Sequence, residues 1–157
     1  MSASPVIEIP LANEAETLAL GKKLAGILQD TDVIALFGDL GAGKTTLARG
    51  LIQAFSPDAG EVPSPTYTIV QTYDEGGQTL WHFDLYRIED PSELRELGFE
   101  EAIEDIALIE WPEHAGSLLP EHRLSLSLRF EGEGRVACLT ATTPEWIDRL
   151  NEHFASN

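Results

Sequence analysis

The stretch "VIALFGDLGAGKTTLARGLIQAF", residues 33–55, constrains this chain more than any other. It opens with a continuous apolar run of strand length, the pattern of a strand covered on both faces in a parallel sheet. It closes with a segment whose apolar residues Leu47, Leu51, Ile52 and Phe55 fall on one helical stripe. Between them, Gly38, Gly43, Lys44 and Thr45 occupy every fixed position of the spacing G-x-x-x-x-G-K-[ST]. Glycines let the backbone turn its N–H groups around phosphate oxygens, and the start of the helix adds further donors and a favourable dipole. Lys44 then neutralises the β- and γ-phosphates, and Thr45 offers its hydroxyl to magnesium. The stretch predicts a nucleoside triphosphate and Mg2+ held on an α/β fold.

The flanking sequence extends that fold. "NEAETLALGKKLAGILQ" starts with Asn13 and has Glu16 three positions on, a capping box, followed by Leu20, Leu24, Ile27 and Leu28 at helical spacing. After the proline-rich "SPDAGEVPSPT", the runs "YTIVQTY" and "TLWHFDLYRI" around "DEGGQ" predict a β-hairpin. Strand alternation puts Trp81, Phe83 and Leu85 on one face and His82, Asp84 and Tyr86 on the other. "DPSELRELGFEEAI" predicts a helix with Asp90 at the cap, Pro91 at the first position and Glu93 completing the box. "IALIEW" predicts a second buried strand. "RLSLSLRF", the turn "EGEG" and "RVACLTAT" predict another hairpin, and a last helix starts at Thr143-Pro144 with Trp146, Ile147 and Leu150 on its apolar side. This order predicts a small P-loop fold over residues 1–157, with a central parallel sheet and flanking antiparallel strands and helices in one domain.

A phosphate loop alone does not hydrolyse a nucleotide. An acid must hold magnesium and a further group must position the nucleophile. Two acids suit those tasks, although a solvated strand terminus accounts equally for either: Glu110 ends the apolar strand "IALI", where a side chain emerges at the carboxyl edge of the sheet, and Asp84 lies on the polar side of its strand beside His82. Thr66, in "SPTYT", sits where a nucleotide-sensing switch falls, although a proline-stiffened connector accounts for the same residues. His82 is read as a residue that orients its neighbours, and Trp111 as either a core aromatic or part of the mouth of the site.

Charge restricts the partners. Ten Lys and Arg face 27 Asp and Glu, a formal charge of −17, and the basic residues are scattered along the chain, so direct high-affinity binding of RNA or DNA is disfavoured. Cys138 is the only cysteine, which excludes an intrachain disulfide; its alternating apolar surroundings predict a small buried residue. No run reaches the roughly 20 apolar residues of a membrane span, and no basic, apolar leader is present at the amino terminus, so the expectation is a cytoplasmic protein.

Four segments in order, "GDLGAGKTT", "SPTYT", "HFDLYR" and "IEWPE", closely resemble the TsaE family, the ATPase component of tRNA threonylcarbamoyladenosine biosynthesis. The resemblance implies that ATP and Mg2+ are bound, with Asp39, Leu40, Gly41, Ala42, Gly43, Lys44, Thr45 and Thr46 around the phosphates. It implies that Thr45 and Glu110 hold magnesium, that Lys44 and Asp84 are catalytic, and that Thr66 is a switch residue. Glu14 and Gly134 match positions near the base or ribose. The partners so implied are TsaB and TsaD, with tRNA reached only through that complex, whose turnover the ATPase drives. Two other readings stay open: a small-molecule P-loop kinase, although no arginine-rich lid is visible, and a nucleotide-gated binding module. A GTPase is disfavoured because no Asn-Lys-x-Asp element occurs.

Overall fold

The computed structural model describes residues 6–39, 41–59, 62 and 69–154. Among these residues, seven strands form one sheet in the order β1-β7-β6-β2-β5-β4-β3: β1 (Val6–Leu11), β2 (Val33–Gly38), β3 (Val70–Glu75), β4 (Gln78–Asp84), β5 (Ile106–Glu110), β6 (Leu124–Glu131) and β7 (Gly134–Ala141). The four central strands β6, β2, β5 and β4 are parallel. β1 and β7 extend one side antiparallel, and β3 the other. The α-helices among the described residues are α1 (Glu14–Ala25), α2 (Lys44–Phe55), α3 (Glu93–Glu96), α4 (Phe99–Ala102) and α5 (Pro144–Phe154). The predicted parallel centre with antiparallel flanks is therefore observed.

Alternation along the strands divides the apolar residues between two cores. Leu80, Ile106, Leu108, Leu126 and Leu139 pack with Leu20 and Leu24 of α1, Leu47 and Leu51 of α2, and Trp146 and Leu150 of α5. Phe83, Ala107 and Ile109 face the other way, toward Leu94, Phe99 and Ala102. The L-S-L-S-L pattern of β6 buries its leucines in the first core alone. α1 and α2 meet at two glycines. A Cβ at Gly21 would lie 2.3 Å from the Leu47 carbonyl oxygen, and one at Gly50 would lie 2.5 Å from that of Leu18.

Local signals hold at most boundaries. Asn13 caps α1 by accepting from the Glu16 N–H at 3.0 Å, while Glu16 accepts from the Ala12 N–H at 2.8 Å. The turn of the first hairpin narrows to Gly76 and Gly77, both at positive φ, so its strands run closer to the turn than predicted. Other expectations need correction. β4 stops at Asp84, so Tyr86 does not continue its polar face; it lies in the following turn, exposed, with its ring centre 5.0 Å from that of Trp111. The helix predicted over residues 91–103 is two single turns broken at Gly98, whose φ of 82° leaves the helical region and whose Cα side is closed by the Trp81 ring. Its first turn begins at Glu93, preceded by an Asp90 turn in which the Ser92 N–H donates to the carboxylate at 3.0 Å and holds the Asp90 pKa below its ordinary value. β1 was not anticipated: Pro10 interrupts a short apolar alternation that only an edge position tolerates. Cys138 is half-buried on β7, more open than expected.

Candidate functional site

The loop between β2 and α2 turns on glycines. Gly38, Gly41 and Gly43 have φ of 146°, 83° and 105°, values that favour residues without a Cβ. At Gly38 a Cβ would also lie 2.8 Å from the Leu128 carbonyl oxygen. The Ala42 N–H donates to the Asp39 carbonyl at 3.0 Å, closing the turn before α2 begins. Lys44, 5% exposed, donates its ammonium to the Gly38 carbonyl and holds it 3.4 Å from the centre of the Trp111 ring. Leu40 lies outside the described residues, as does Thr66 with the rest of "SPTYT".

The two predicted acids meet because the strands that carry them are parallel neighbours in register. Asp84 pairs with Glu110, and Leu36, two residues before the loop, pairs with Glu110 from the other side. Both carboxylates thus end their strands at the edge where the loop begins. Glu110, 2% exposed, accepts from the Thr45 hydroxyl at 3.1 Å through Oε1 and stands 2.7 Å from His82 Nε2 through Oε2. His82, opposite Leu108, is the diagonal neighbour of Glu110 on the same face, so alternation delivers it there. Its other ring nitrogen, Nδ1, is buried and has no hydrogen-bond partner among the described residues. Asp84 accepts from the Tyr86 N–H at 3.0 Å through Oδ1. Trp111 takes a left-handed backbone, φ 56°, immediately after Glu110, and this turn seats its indole above Lys44.

Two hollows adjoin at the loop. One, of about 210 Å3, is lined by Gly41, Gly43, Lys44, Thr45, Thr46, Asp84, Glu110 and Trp111. The other, of about 190 Å3, shares Gly41, Gly43 and Thr46 and is completed by Glu14, Thr17, Glu133, Gly134 and Arg135 among others. Glu14 and Gly134, far apart in sequence, therefore border the same space. Gly134 has a packing reason as well, since a Cβ there would meet the Leu11 carbonyl oxygen at 2.6 Å. Asp39 opens the loop and is among the acids that act on Lys44.

Burial pulls the Lys44 ammonium below its ordinary pKa, against the opposing attraction of Glu110, Glu113, Asp84 and Asp39. A buried cation among carboxylates favours a ligand that carries negative charge together with a divalent cation. Among the described residues, no group of three or more His, Cys, Asp and Glu forms a metal cage. The donors present, one hydroxyl and adjacent carboxylates, suit magnesium, which keeps several waters and shares its coordination with substrate phosphates. Sequence reasoning did not single out Arg135, whose Nε donates to the Ala42 carbonyl at 3.2 Å and Nη2 to the Gly41 carbonyl at 3.3 Å. Its only local signal was its place beside Gly134.

A parallel sheet whose central strand runs through a glycine loop into a helix, with two acids at the same edge, defines a P-loop α/β protein. The family described as "Threonylcarbamoyl adenosine biosynthesis protein TsaE" matches residues 11–137. The chain is similar to the tRNA threonylcarbamoyladenosine biosynthesis protein TsaE of Rickettsia felis, 41% identical over 84% of this chain and 78% of the relative. Its counterpart in Haemophilus influenzae is 40% identical over 85% of this chain and 88% of the relative. The crystal structure of YdiB from Bacillus subtilis superimposes with a TM-score of 0.77 at 29% identity, covering 98% of this chain and 99% of that one. The chain belongs to the TsaE family, which takes part in the biosynthesis of threonylcarbamoyladenosine in tRNA. No helix among the described residues is long and apolar enough to cross a membrane.

Proposed function

We propose that this chain is a magnesium-dependent ATPase that acts with TsaB and TsaD in the modification of tRNA position 37, hydrolysing ATP to drive turnover of that complex, and that it works in the cytoplasm. The observation that carries the reading is the contact of Thr45 with Glu110 beside Lys44 and Asp84, four groups of complementary chemistry converging on one hollow at the glycine loop. Thr45 and Glu110 are the residues to hold magnesium, which when bound neutralises charge on the phosphates. Lys44 exchanges its contact with the Gly38 carbonyl for phosphate oxygens, and the loop residues 39–46 surround them. Asp84 orients the attacking water and receives its proton. His82 holds Glu110 in place from the buried side, and Trp111 keeps bulk water from the Lys44 ammonium. The second hollow, bordered by Glu14 and Gly134, is where the nucleoside lies, and Thr66 responds to the γ-phosphate.

Reconstituted formation of threonylcarbamoyladenosine on tRNA, followed over many turnovers with TsaB and TsaD, tests this function. The wild-type chain raises multiple-turnover yield in proportion to ATP hydrolysed. Yield that is independent of the chain counts against the assignment. Full yield with Asp84→Ala, in the absence of hydrolysis, favours a nucleotide-gated binding module.

A further inference from the structure

Arg135 begins its work from the β6–β7 hairpin, where it pairs directly across the strands with Phe130. Its guanidinium carbon lies 4.2 Å from the centre of the Phe130 ring, which gives a reason for a phenyl side chain that remains 51% exposed. From that platform Nη1 donates to the Gly134 carbonyl at 3.0 Å, while Nε and Nη2 reach the successive loop carbonyls of Ala42 and Gly41. A planar guanidinium spans two such acceptors at once; a lysine ammonium at the same position does not.

These contacts determine more than the position of two oxygens. In a trans peptide unit the N–H points opposite to the carbonyl that precedes it, and none of the described peptide bonds is cis. Anchoring the Gly41 and Ala42 carbonyls therefore orients the N–H groups of Ala42 and Gly43. The first donates to the Asp39 carbonyl, and the second is turned away from Arg135. With φ of 83° at Gly41 and 105° at Gly43, the intervening backbone has few side-chain constraints of its own, so an external anchor has a task to perform.

We infer that Arg135 is a positioning residue for the phosphate loop: stacked on Phe130, it holds the peptide units of residues 41–43 in the orientation that receives phosphate before any ligand arrives. The inference rests on the reading of the loop as an ATP site. It couples the loop to the hairpin turn that borders the second hollow.

The test measures Mg-ATP and ADP affinity by calorimetry on the full chain and its Arg135→Lys, Arg135→Ala and Phe130→Ala variants, with hydrogen–deuterium exchange of the unliganded proteins. Arg135→Lys keeps charge and length, so it stays informative where Arg135→Ala folds poorly. Both substitutions at Arg135 are expected to weaken ATP and ADP about tenfold or more, with Phe130→Ala losing less. Exchange is expected to quicken over residues 41–46 and remain unchanged in the central strands. Unchanged affinity in Arg135→Lys overturns the inference, as does lost affinity without faster loop exchange, which assigns Arg135 to direct ligand contact. Faster exchange throughout the sheet overturns it in favour of general stability. A wild-type chain that binds neither nucleotide removes the ATP reading itself, and the inference falls with it; binding by wild type and variants alike removes only the inference.

Discussion

Lys44 concentrates the electrostatic conflict of the site. Desolvation lowers its pKa from the ordinary 10.5, so the folded chain loses this proton at lower pH than the unfolded chain does. In the window between those two values folding releases a proton, and stability attributable to Lys44 rises with pH. Lys44→Met removes the group at similar size. Urea unfolding of both proteins from about pH 8 to 10.5 is expected to show wild-type stability gaining on that of the variant as pH rises; parallel curves or the opposite slope refute it. The neighbouring acids separate by a different measurement. On the proposed role of Asp84 in orienting the nucleophile, Asp84→Ala is expected to lower kcat about a hundredfold while ATP affinity moves less than about threefold. Glu110→Ala, which loses the partner of Thr45 and His82, is expected to raise the magnesium required for half-maximal hydrolysis about tenfold. Equal losses of affinity and undisturbed kcat in Asp84→Ala remove it from the catalytic role.

At the scale of elements, the loop is only as well placed as α2, which starts at Lys44 and lies against α1 through Gly50 and Gly21. Gly50→Ala puts a methyl 2.5 Å from the Leu18 carbonyl oxygen, a backbone atom that cannot rotate aside. A loss of about 2–3 kcal/mol in denaturant unfolding is expected, with weaker nucleotide binding as α2 is displaced; a change within about 0.5 kcal/mol shows that the helices separate freely. Nothing in the chain announced this crossing, because Gly21 and Gly50 read individually as weak helix residues. By contrast, β2 and α2 were legible from the glycines, lysine and threonine set at fixed local spacing between them and from the apolar patterns on either side. Asp84 and Glu110 were legible as strand-end acids, but their pairing depends on β4 and β5 being neighbours. Arg135 was not legible, for its partners lie 93 and 94 residues away and carbonyl acceptors leave no trace in residue type. The broken helix at Gly98 and the edge strand β1 were obscured for a similar reason: Trp81 and β7, which account for them, come from elsewhere in the chain.

For the molecule as a whole, charge and family membership pull in different directions. The family serves tRNA modification, yet this chain carries a formal charge of −17. Lys44 is buried among acids, Arg149 is paired with Asp32 at 2.6 and 2.8 Å, and Arg129 reaches Glu8 at 3.1 Å, so several of the ten cations already face carboxylates. A phosphate backbone gains affinity from cations that release its counterions, and a surface of this charge offers repulsion in their place. The isolated chain is therefore expected to show no tRNA binding up to about 100 µM at physiological salt, weaker than the 10⁻⁴–10⁻⁶ M usual for non-specific nucleic-acid binders. Lower ionic strength strengthens repulsion as well as attraction, so binding should not emerge at about 20 mM salt either. Fluorescence anisotropy of labelled tRNA across that salt range checks it. A micromolar complex that tightens steeply as salt falls contradicts the argument and places a basic tRNA-facing surface on this chain; its absence, with activity retained in the full assembly, leaves recognition of the tRNA to the partner proteins.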